Sequence, residues 1–218
     1  MSLKFLNLIQ PFYTVALAHG EFPVHSVALR LLRSATSIVC CDGAVEALLQ
    51  FGMEPTHIVG DLDSIPPELK ERFADRLHHE ADQESNDLTK SINFCKLNGY
   101  NKITILGATG KREDHTLGNI SLMADYAGKV DVQMLTNYGA LSVACSSSTF
   151  ESFAGQQVSI FCLSPRTKIT TKGLQYPITD RSLPSWWMGT LNASLGDSFS
   201  VHFSEGSVLV FRAYPDWV

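Results

Sequence analysis

The spacing of hydrophobic residues changes once along the chain, near residue 138. Before that point, short continuous apolar runs alternate with segments in which apolar residues recur every three or four positions. The runs predict buried strands, and the wider spacing predicts helices, one of them from Pro66-Pro67 to about Leu77. The predicted strands cover residues 13–18, 37–41, 57–59, 102–106 and 132–136. Strands that alternate with helices predict an α/β domain with a parallel sheet, Rossmann-like and three-layered.

Residues after 138 show a different pattern. Helical spacing stops, and short alternating runs are separated by glycines, as is typical of a small β-sandwich or barrel. The predicted strands cover residues 141–144, 157–161, 168–170, 198–203 and 208–211. We therefore predict two domains: an N-terminal parallel-sheet α/β domain, residues 1–137, and a small C-terminal β-sandwich, residues 138–218.

Composition narrows the classes of partner. The chain has 218 residues and is 44% hydrophobic, which is enough for a real core. Its net charge is −5 and it has no long basic run, so nucleic acid and anionic membranes are not expected as main partners. The five cysteines, odd in number and without a CxxC pair, predict reduced thiols and a cytoplasmic protein. Met1–Lys4 lacks the layout of a signal peptide.

Acidic residues follow the predicted strands. Asp42, Asp61, Asp63 and Asp114 come after strands, and Asp87 lies at a predicted helix start. Open parallel sheets bind ligands beyond the carboxyl ends of their strands, where these acids would meet. Asp61 and Asp63 are two apart, so in an extended backbone they project to one side and could hold Mg²⁺. Each acid also has a plainer interpretation as a turn or helix-cap residue.

The segment Gly107–Arg112 supplies the opposite charge. Glycines between a strand and a helix let backbone N–H groups approach phosphate oxygens, and Lys111 and Arg112 can add charged contacts. The segment matches neither a Walker A loop nor a GxGxxG fingerprint. Beside the acids, it indicates Mg-nucleotide chemistry.

Three motifs together resemble the thiamine pyrophosphokinase family. They are Cys41-Asp42-Gly43-Ala44, Ile58–Ile65 with its Gly60-Asp61-Leu62-Asp63-Ser64 centre, and Gly107–His115 continued to Asn119-Ile120. Asn86-Asp87-Leu88-Thr89-Lys90 is similar to the family's acid-bearing helix start. The chain departs from the family pattern at several positions: His19-Gly20 stands where Asn-Gly is usual, Ala44 replaces a frequent glycine, Asn86 replaces a frequent threonine, and Leu191 replaces a serine.

The resemblance implies an enzyme that transfers the diphosphate of ATP to the hydroxyl of thiamine, giving thiamine diphosphate and AMP with Mg²⁺. It implies a homodimer in which two subunits build the thiamine site. The acidic catalytic set would be Asp42, Asp61, Asp63, Asp87 and Asp114, and the metal ligands Asp61, Asp63 and Asp87. Either Asp42 or Asp87 could accept the hydroxyl proton.

The resemblance also assigns contacts to the two substrates. The residues expected near ATP are Gly43, Gly60, Ser64, Thr89, Lys90, Gly107, Thr109, Gly110, Lys111, Arg112, His115 and Asn119. Those expected near thiamine are Gln83, Trp187, Thr190 and Asn192. His115 has a rival interpretation as a polar residue of the helix start, and Trp186 or Trp187 could be simple packing.

Two other classes of function use the same residues. A Mg-dependent nucleotide hydrolase, or a pyrophosphokinase with another acceptor, would need the same acids. A non-catalytic regulator would bind a small ligand in its β-domain and keep the acids as structural residues.

Overall fold

The computed structural model describes residues 14–217. Two sequence predictions concern residues outside the described range. They are that Tyr13 begins the first strand and that Met1–Lys4 lacks the layout of a signal peptide. The described chain divides into two compact units between Asn137 and Tyr138.

The first unit alternates strands and helices. In chain order its elements are β1 (Thr14–Leu17), α1 (Ser26–Ser34), β2 (Ser37–Cys41), α2 (Ala44–Gln50), β3 (His57–Gly60), α3 (Pro67–Arg72), a 3₁₀ turn (Ala74–Arg76), β4 (Leu77–His79), α4 (Asp87–Leu97), β5 (Lys102–Leu106), α5 (Glu113–Ala127) and β6 (Asp131–Leu135).

The strands of this unit are all parallel, in the order β6-β5-β1-β2-β3-β4. The prediction of an α/β fold is therefore confirmed. Apolar side chains on both faces are buried, as in Val15, Val39, Ile58 and Ile105, each fully shielded from water. The chain runs from β1 to β4 on one side and then returns to β5 and β6 on the other. Connections thus diverge between β1 and β5, where open sheets form a crevice.

The predicted helix from Pro66 to Leu77 is shorter in the structure. It ends at Arg72, because Phe73 has φ −114° and ψ 26° and buries its ring in the core. Leu77 instead belongs to β4, which pairs in parallel with β3 at Ile58. The pattern missed this strand because three residues are too few to show an alternation.

The second unit is built of antiparallel strands. They are β7 (Gly139–Ala144), β8 (Ser148–Glu151), β9 (Gln157–Cys162), β10 (Lys168–Lys172), β11 (Arg181–Ser182), β12 (Asn192–Ala193), β13 (Ser198–His202) and β14 (Val208–Ala213), with 3₁₀ turns at Trp186–Gly189 and Pro215–Trp217. One set pairs in the order β12-β9-β14-β7 and the other in the order β11-β10-β13-β8. Residues of both sets, among them Ile160, Ile169, Val201 and Val210, share one apolar cluster.

Two further sequence predictions can be compared with the structure. Four cysteines are buried thiols as predicted, whereas Cys145 is exposed. From residue 14 to residue 217, no helix is both long enough and apolar enough to cross a membrane.

Candidate active site

A cavity of about 550 Å³ opens in the first unit at the carboxyl ends of its strands. The end of β2, the loops after β1, β3, β4 and β5, and the first turns of α4 and α5 contribute its walls. Of the residues predicted from sequence, nine line it: Asp61, Gln83, Asp87, Lys90, Thr109, Lys111, Arg112, His115 and Asn119. The predicted acidic and basic residues therefore lie in one cavity, as expected if ligands bind beyond the carboxyl ends of the parallel strands.

Three of the aspartates form a compact group beside this cavity. Carboxylate oxygens of Asp42, Asp61 and Asp63 all lie within 4.8 Å of one another. Asp42 has φ 38° and is only 3% exposed. Gly60 makes room for this arrangement, because a Cβ at that position would lie 3.0 Å from Cβ of Asp42 and 3.5 Å from Oδ1 of Asp87.

The hydrogen bonds of this group leave one buried oxygen without a partner. Asp42 Oδ2 accepts from the Ser64 backbone N–H at 3.3 Å, whereas Oδ1 is buried and has no partner among the described residues. Asp61 Oδ1 accepts from the Asp63 N–H at 3.2 Å, and Ser64 Oγ donates to Asp63 Oδ1 at 3.0 Å. A buried carboxylate oxygen without a donor is costly, unless a cation binds it.

The pKa shifts agree with this geometry. Burial raises the pKa of Asp42, and the charges of Asp87 and Asp61 raise it further, while its hydrogen bonds from Ser64 act in the opposite direction. The backbone N–H of Asp63 lowers the pKa of Asp61. Two carboxylates thus stay close together with opposite shifts, an arrangement that a hard cation with oxygen ligands would stabilise. The donor set fits Mg²⁺.

Asp87 lies outside the group of three and is paired with a lysine. Its Oδ1 is 3.1 Å from Nζ of Lys90, whose side chain is almost fully buried. Burial lowers the pKa of Lys90, but the hydrogen bond and charge of Asp87 outweigh it and raise the pKa overall. The interpretation of Asp87 as an N-cap is wrong, because Asn86 caps α4 by accepting from the Thr89 N–H at 2.9 Å.

The loop after β5 is held by the loop after β1. The Gly20 N–H donates to Gly107 O at 2.6 Å, and the Glu21 N–H donates to Thr109 O at 2.8 Å. Gly107 and Gly110 have φ values of 66° and 91°, which only glycine adopts readily. Two hydrogen bonds and two glycine conformations therefore hold the backbone of the predicted phosphate loop.

Asp114 has a different position from the other acids. It lies in the first turn of α5 and forms an ion pair with Arg112, whose Nε is 3.1 Å from Oδ1. Arg112 lowers the pKa of Asp114 to about 2. Asp114 is not among the residues that line the cavity, whereas Arg112 is. Its carboxylate orients the Arg112 guanidinium. It does not cap α5, whose N-cap is Arg112.

Asparagine side chains connect the acid-bearing helix to the phosphate loop. Asn86 Nδ2 donates to Asn119 Oδ1 at 3.1 Å, and Asn119 Nδ2 donates to Ala108 O at 2.9 Å. Thr89 Oγ1 lies 2.7 Å from the hydroxyl of Tyr126. The side chains of Asn119 and Thr89, both expected near ATP, therefore form hydrogen bonds with other residues of the protein.

Sequence reasoning missed several residues of the cavity wall, namely His19, Gly20, Ser85, Asn86 and Thr116. The strand-end rule could have found His19 and Gly20, because they follow the predicted strand at the centre of the sheet. The remaining expected ATP contacts do not line the cavity directly: Gly43, Gly60, Ser64, Thr89, Gly107 and Gly110.

The residues expected near thiamine in the second unit differ in exposure. Trp187 is 74% exposed, whereas Trp186 is 40% exposed and its ring lies 5.8 Å from the ring of Phe161. Thr190 Oγ1 donates to Trp187 O at 2.8 Å. Asn192 is buried and bonds to the backbone of Tyr176 through both ends of its amide. Trp187 is therefore the aromatic residue with a free face.

Two family models match the chain. The thiamin pyrophosphokinase catalytic domain matches residues 28–134, and the thiamin pyrophosphokinase substrate-binding domain matches residues 139–211. The chain belongs to the thiamine pyrophosphokinase family. The resemblance drawn from the sequence motifs is confirmed, and the residues of the cavity and its acidic group belong to the segment matched by the catalytic model, except those of the β1 loop.

Relatives in this family share a modest part of the sequence. Thiamine pyrophosphokinase 1 of Oryza sativa subsp. japonica is 28% identical over 146 residues, which are 60% of this chain and 55% of the relative. Thiamine pyrophosphokinase of Bacillus subtilis (strain 168) is 35% identical over 86 residues, 38% of this chain and 40% of the relative. The chain thus spans about half, or less, of the curated relatives that it matches.

Solved structures show that the fold extends over the whole chain. Thiamin pyrophosphokinase from Geobacillus thermodenitrificans has a TM-score of 0.77 at 24% identity, covering 92% of this chain and 97% of that one. Yeast thiamin pyrophosphokinase has a TM-score of 0.78 at 17% identity, covering 100% and 92%.

Proposed function

We propose that the chain transfers the diphosphate group of ATP to the hydroxyl of thiamine, giving thiamine diphosphate and AMP in a Mg²⁺-dependent reaction. One observation carries this proposal beyond family membership. A single cavity has carboxylates of Asp61 and Asp87 on its wall together with the cations of Lys111 and Arg112. An anion that also carries a metal ion, such as Mg-ATP, matches both kinds of charge.

The acidic residues would hold the metal. Asp42 and Asp61 with Asp63 supply the compact oxygen set, and Asp87 lies beside it next to Gly60. Bound Mg²⁺ would neutralise negative charge on the phosphoryl oxygens during transfer. The unpartnered Oδ1 of Asp42 supports its inclusion among the ligands, in addition to the predicted Asp61, Asp63 and Asp87.

The basic loop would hold the polyphosphate. Lys111 and Arg112 can donate to phosphate oxygens, and the fixed backbone of Gly107–Gly110 needs little reorganisation when the ligand binds. Asp114 would keep the Arg112 guanidinium in one orientation, which favours a planar, two-bond contact with a phosphate.

The second unit is proposed to bind thiamine. The matched family model describes it as a substrate-binding domain, and Trp187 presents an exposed indole that could stack on a cationic aromatic ligand. At finer detail, we propose that the first unit is a three-layer Rossmann-like domain and that the two strand sets of the second unit form a sandwich around their shared apolar cluster. The family resemblance also supports a homodimer, which sedimentation at several protein concentrations would test.

The reaction itself gives the decisive test. The purified chain is incubated with ATP, Mg²⁺ and thiamine, and products are separated by chromatography. We expect AMP and thiamine diphosphate in equal amounts, and neither when EDTA removes the metal. ATP breakdown without thiamine diphosphate would instead identify a hydrolase or another acceptor. Tight thiamine binding without turnover would identify a regulator.

A further inference from the structure

His19 occupies the centre of the crevice. It follows β1, which lies between β5 and β2 at the point where the chain connections diverge. It lines the cavity in company with Lys111 and Asp61. Ligands of open parallel sheets bind at this point. The residue therefore lies in the part of the cavity where ligands of such sheets bind, and it is one of the positions at which the sequence departs from the family pattern.

Its contacts join the basic loop to the acidic loop. The His19 carbonyl oxygen accepts from Nζ of Lys111 at 3.1 Å. On the other side its imidazole rests on Gly43, the residue after Asp42. A methyl group placed on Gly43 would lie 2.8 Å from Cε1 and 3.0 Å from Nδ1 of the ring. His19 thus contacts the basic loop through its backbone carbonyl and the acidic loop through its imidazole.

The ring is available to a ligand. His19 is exposed, and within residues 14–217 neither ring nitrogen has a hydrogen-bond partner. The backbone next to His19 is nevertheless held in place, because the N–H of Gly20 donates to Gly107 O at 2.6 Å. An exposed donor on a fixed backbone, in a cavity with matching charge, is typical of a binding group rather than a packing group.

We propose that His19 donates a hydrogen bond from its imidazole to a phosphoryl oxygen of the bound nucleotide. The proposal rests on the proposed function for the identity of the nucleotide, but it requires only that a Mg-polyphosphate binds in the cavity. The phosphates are the ligand portion concerned, since the charged groups near His19 are Lys111, bonded to its carbonyl, and the acidic group, which would hold the metal. Both complement phosphate and not a neutral base. A charge-assisted bond of this kind contributes about tenfold to a hundredfold in affinity.

Binding of an unreactive ATP analogue with Mg²⁺, measured by calorimetry, tests the proposal. We expect His19→Ala to weaken binding at least about tenfold and His19→Asn, which keeps an N–H donor, to recover most of it. In turnover, His19→Ala should change the parameters for ATP and leave the KM for thiamine unaltered. His202→Asn, at an exposed histidine of the second unit, is the matched control and should bind like the parent chain.

Gly43 provides a second, independent variant. Its φ of −61° suits alanine, so the obstacle to a methyl group is the His19 ring. We expect Gly43→Ala to weaken analogue binding in the parent chain and to have no further effect in the His19→Ala background. Additive losses in the double variant would show that Gly43 acts without His19 and would count against the proposal.

The outcomes separate this inference from the proposed function. If His19→Ala binds the analogue as tightly as the parent, at unchanged thermal stability, the inference is wrong whether or not thiamine diphosphate is made. If the loss in His19→Ala is not recovered by His19→Asn, the ring serves only as packing and the inference also fails. A parent chain that binds the analogue but forms no thiamine diphosphate refutes the proposed reaction. The comparison of analogue binding between the parent and the His19 variants then still decides the role of His19.

Discussion

Asp42 illustrates what sequence can reveal about a single residue and what it cannot. Its position after a predicted strand placed it at the ligand-binding edge. Its burial, its φ of 38° and its unpartnered Oδ1 depend on Gly60, Ser64 and Asp87, which are distant along the chain. Residue type and strand position therefore predicted that Asp42 lies at the ligand-binding edge of the sheet. Only the folded neighbours decide which carboxylates lie close enough together to share one cation.

The same limit applies to Asp114. Sequence grouped it with the other acids because it follows β5. In the structure its carboxylate is paired with Arg112, two residues earlier, and not with the acidic group. A local ion pair of this kind leaves no periodic signal, so the pattern could not separate an acid paired with a cation from acids grouped closely enough to hold a metal.

Asp63→Asn should reduce turnover by a factor of about 100 or more while the fold stays intact. Asp63 is exposed, so its amide causes no burial cost, but the amide loses the charge that a metal ion requires. Steady-state rates at several Mg²⁺ concentrations, with thermal unfolding, measure both effects. Asp131→Asn is the control, because Asp131 begins β6 at the opposite edge of the same sheet. Normal turnover of Asp63→Asn at saturating Mg²⁺ would exclude a metal-binding role.

Trp187→Ala should raise the KM for thiamine several-fold and leave the KM for ATP nearly unchanged. The indole is 74% exposed, so its loss removes a stacking surface and little packing. Trp186→Ala is the contrasting variant: its ring contacts Phe161, and the change should lower thermal stability more than thiamine affinity. Equal effects of Trp187→Ala on both substrates would rule out the stacking role.

Helix ends show which element boundaries a sequence encodes. The start of α4 has a local signal, since Asn86 can cap and does so. The end of α3 has none, because it depends on Phe73 entering the core and on Leu77 pairing with β3. The short strands β8, β11 and β12 were missed for the same reason: two to four residues gain their structure from a partner strand, not from their own pattern.

Asn86→Ala should lower the free energy of unfolding by about 1 kcal/mol, because α4 loses its capping oxygen. It should also weaken nucleotide binding, since the amide joins Asn119 and through it the loop carbonyl of Ala108. Asn86→Thr restores a cap and should recover most of the stability. Urea unfolding measures the first effect and analogue binding the second. Equal destabilisation by the two variants would contradict the capping role.

At the scale of the whole molecule, the change of hydrophobic spacing near residue 138 has a clear structural counterpart. Parallel strands buried on both faces read as continuous apolar runs, as in Ser37–Cys41, where every residue is buried. Antiparallel strands with one solvent-facing side show buried residues at alternate positions, as in Lys168–Lys172. Overall sheet type was therefore readable from sequence, whereas strand order was not, because pairing between distant segments leaves no local pattern.

A cluster that joins distant parts of the first unit contributes to the pH dependence of global stability. His57 of β3 lies against His78 of β4, with Nδ1 and Nε2 3.0 Å apart, and its other nitrogen is 3.4 Å from the Tyr100 hydroxyl. The Phe94 ring of α4 packs on both imidazoles. Burial lowers the pKa of His57 below 6.5, and the neighbouring His78 lowers it further. Between the lowered pKa of folded His57 and about 6.5, the unfolded chain therefore binds a proton that the folded chain does not.

Stability should fall as the pH decreases from about 7 to 5, because the proton bound by unfolded His57 favours the unfolded chain. Above pH 7 both states are neutral and this dependence vanishes. His57→Phe keeps a ring against Phe94 but cannot titrate, so its urea-unfolding free energy should change less between pH 7 and pH 5 than that of the parent. The difference between the two profiles therefore measures the contribution of His57. Parallel profiles would show that this cluster packs without controlling proton binding.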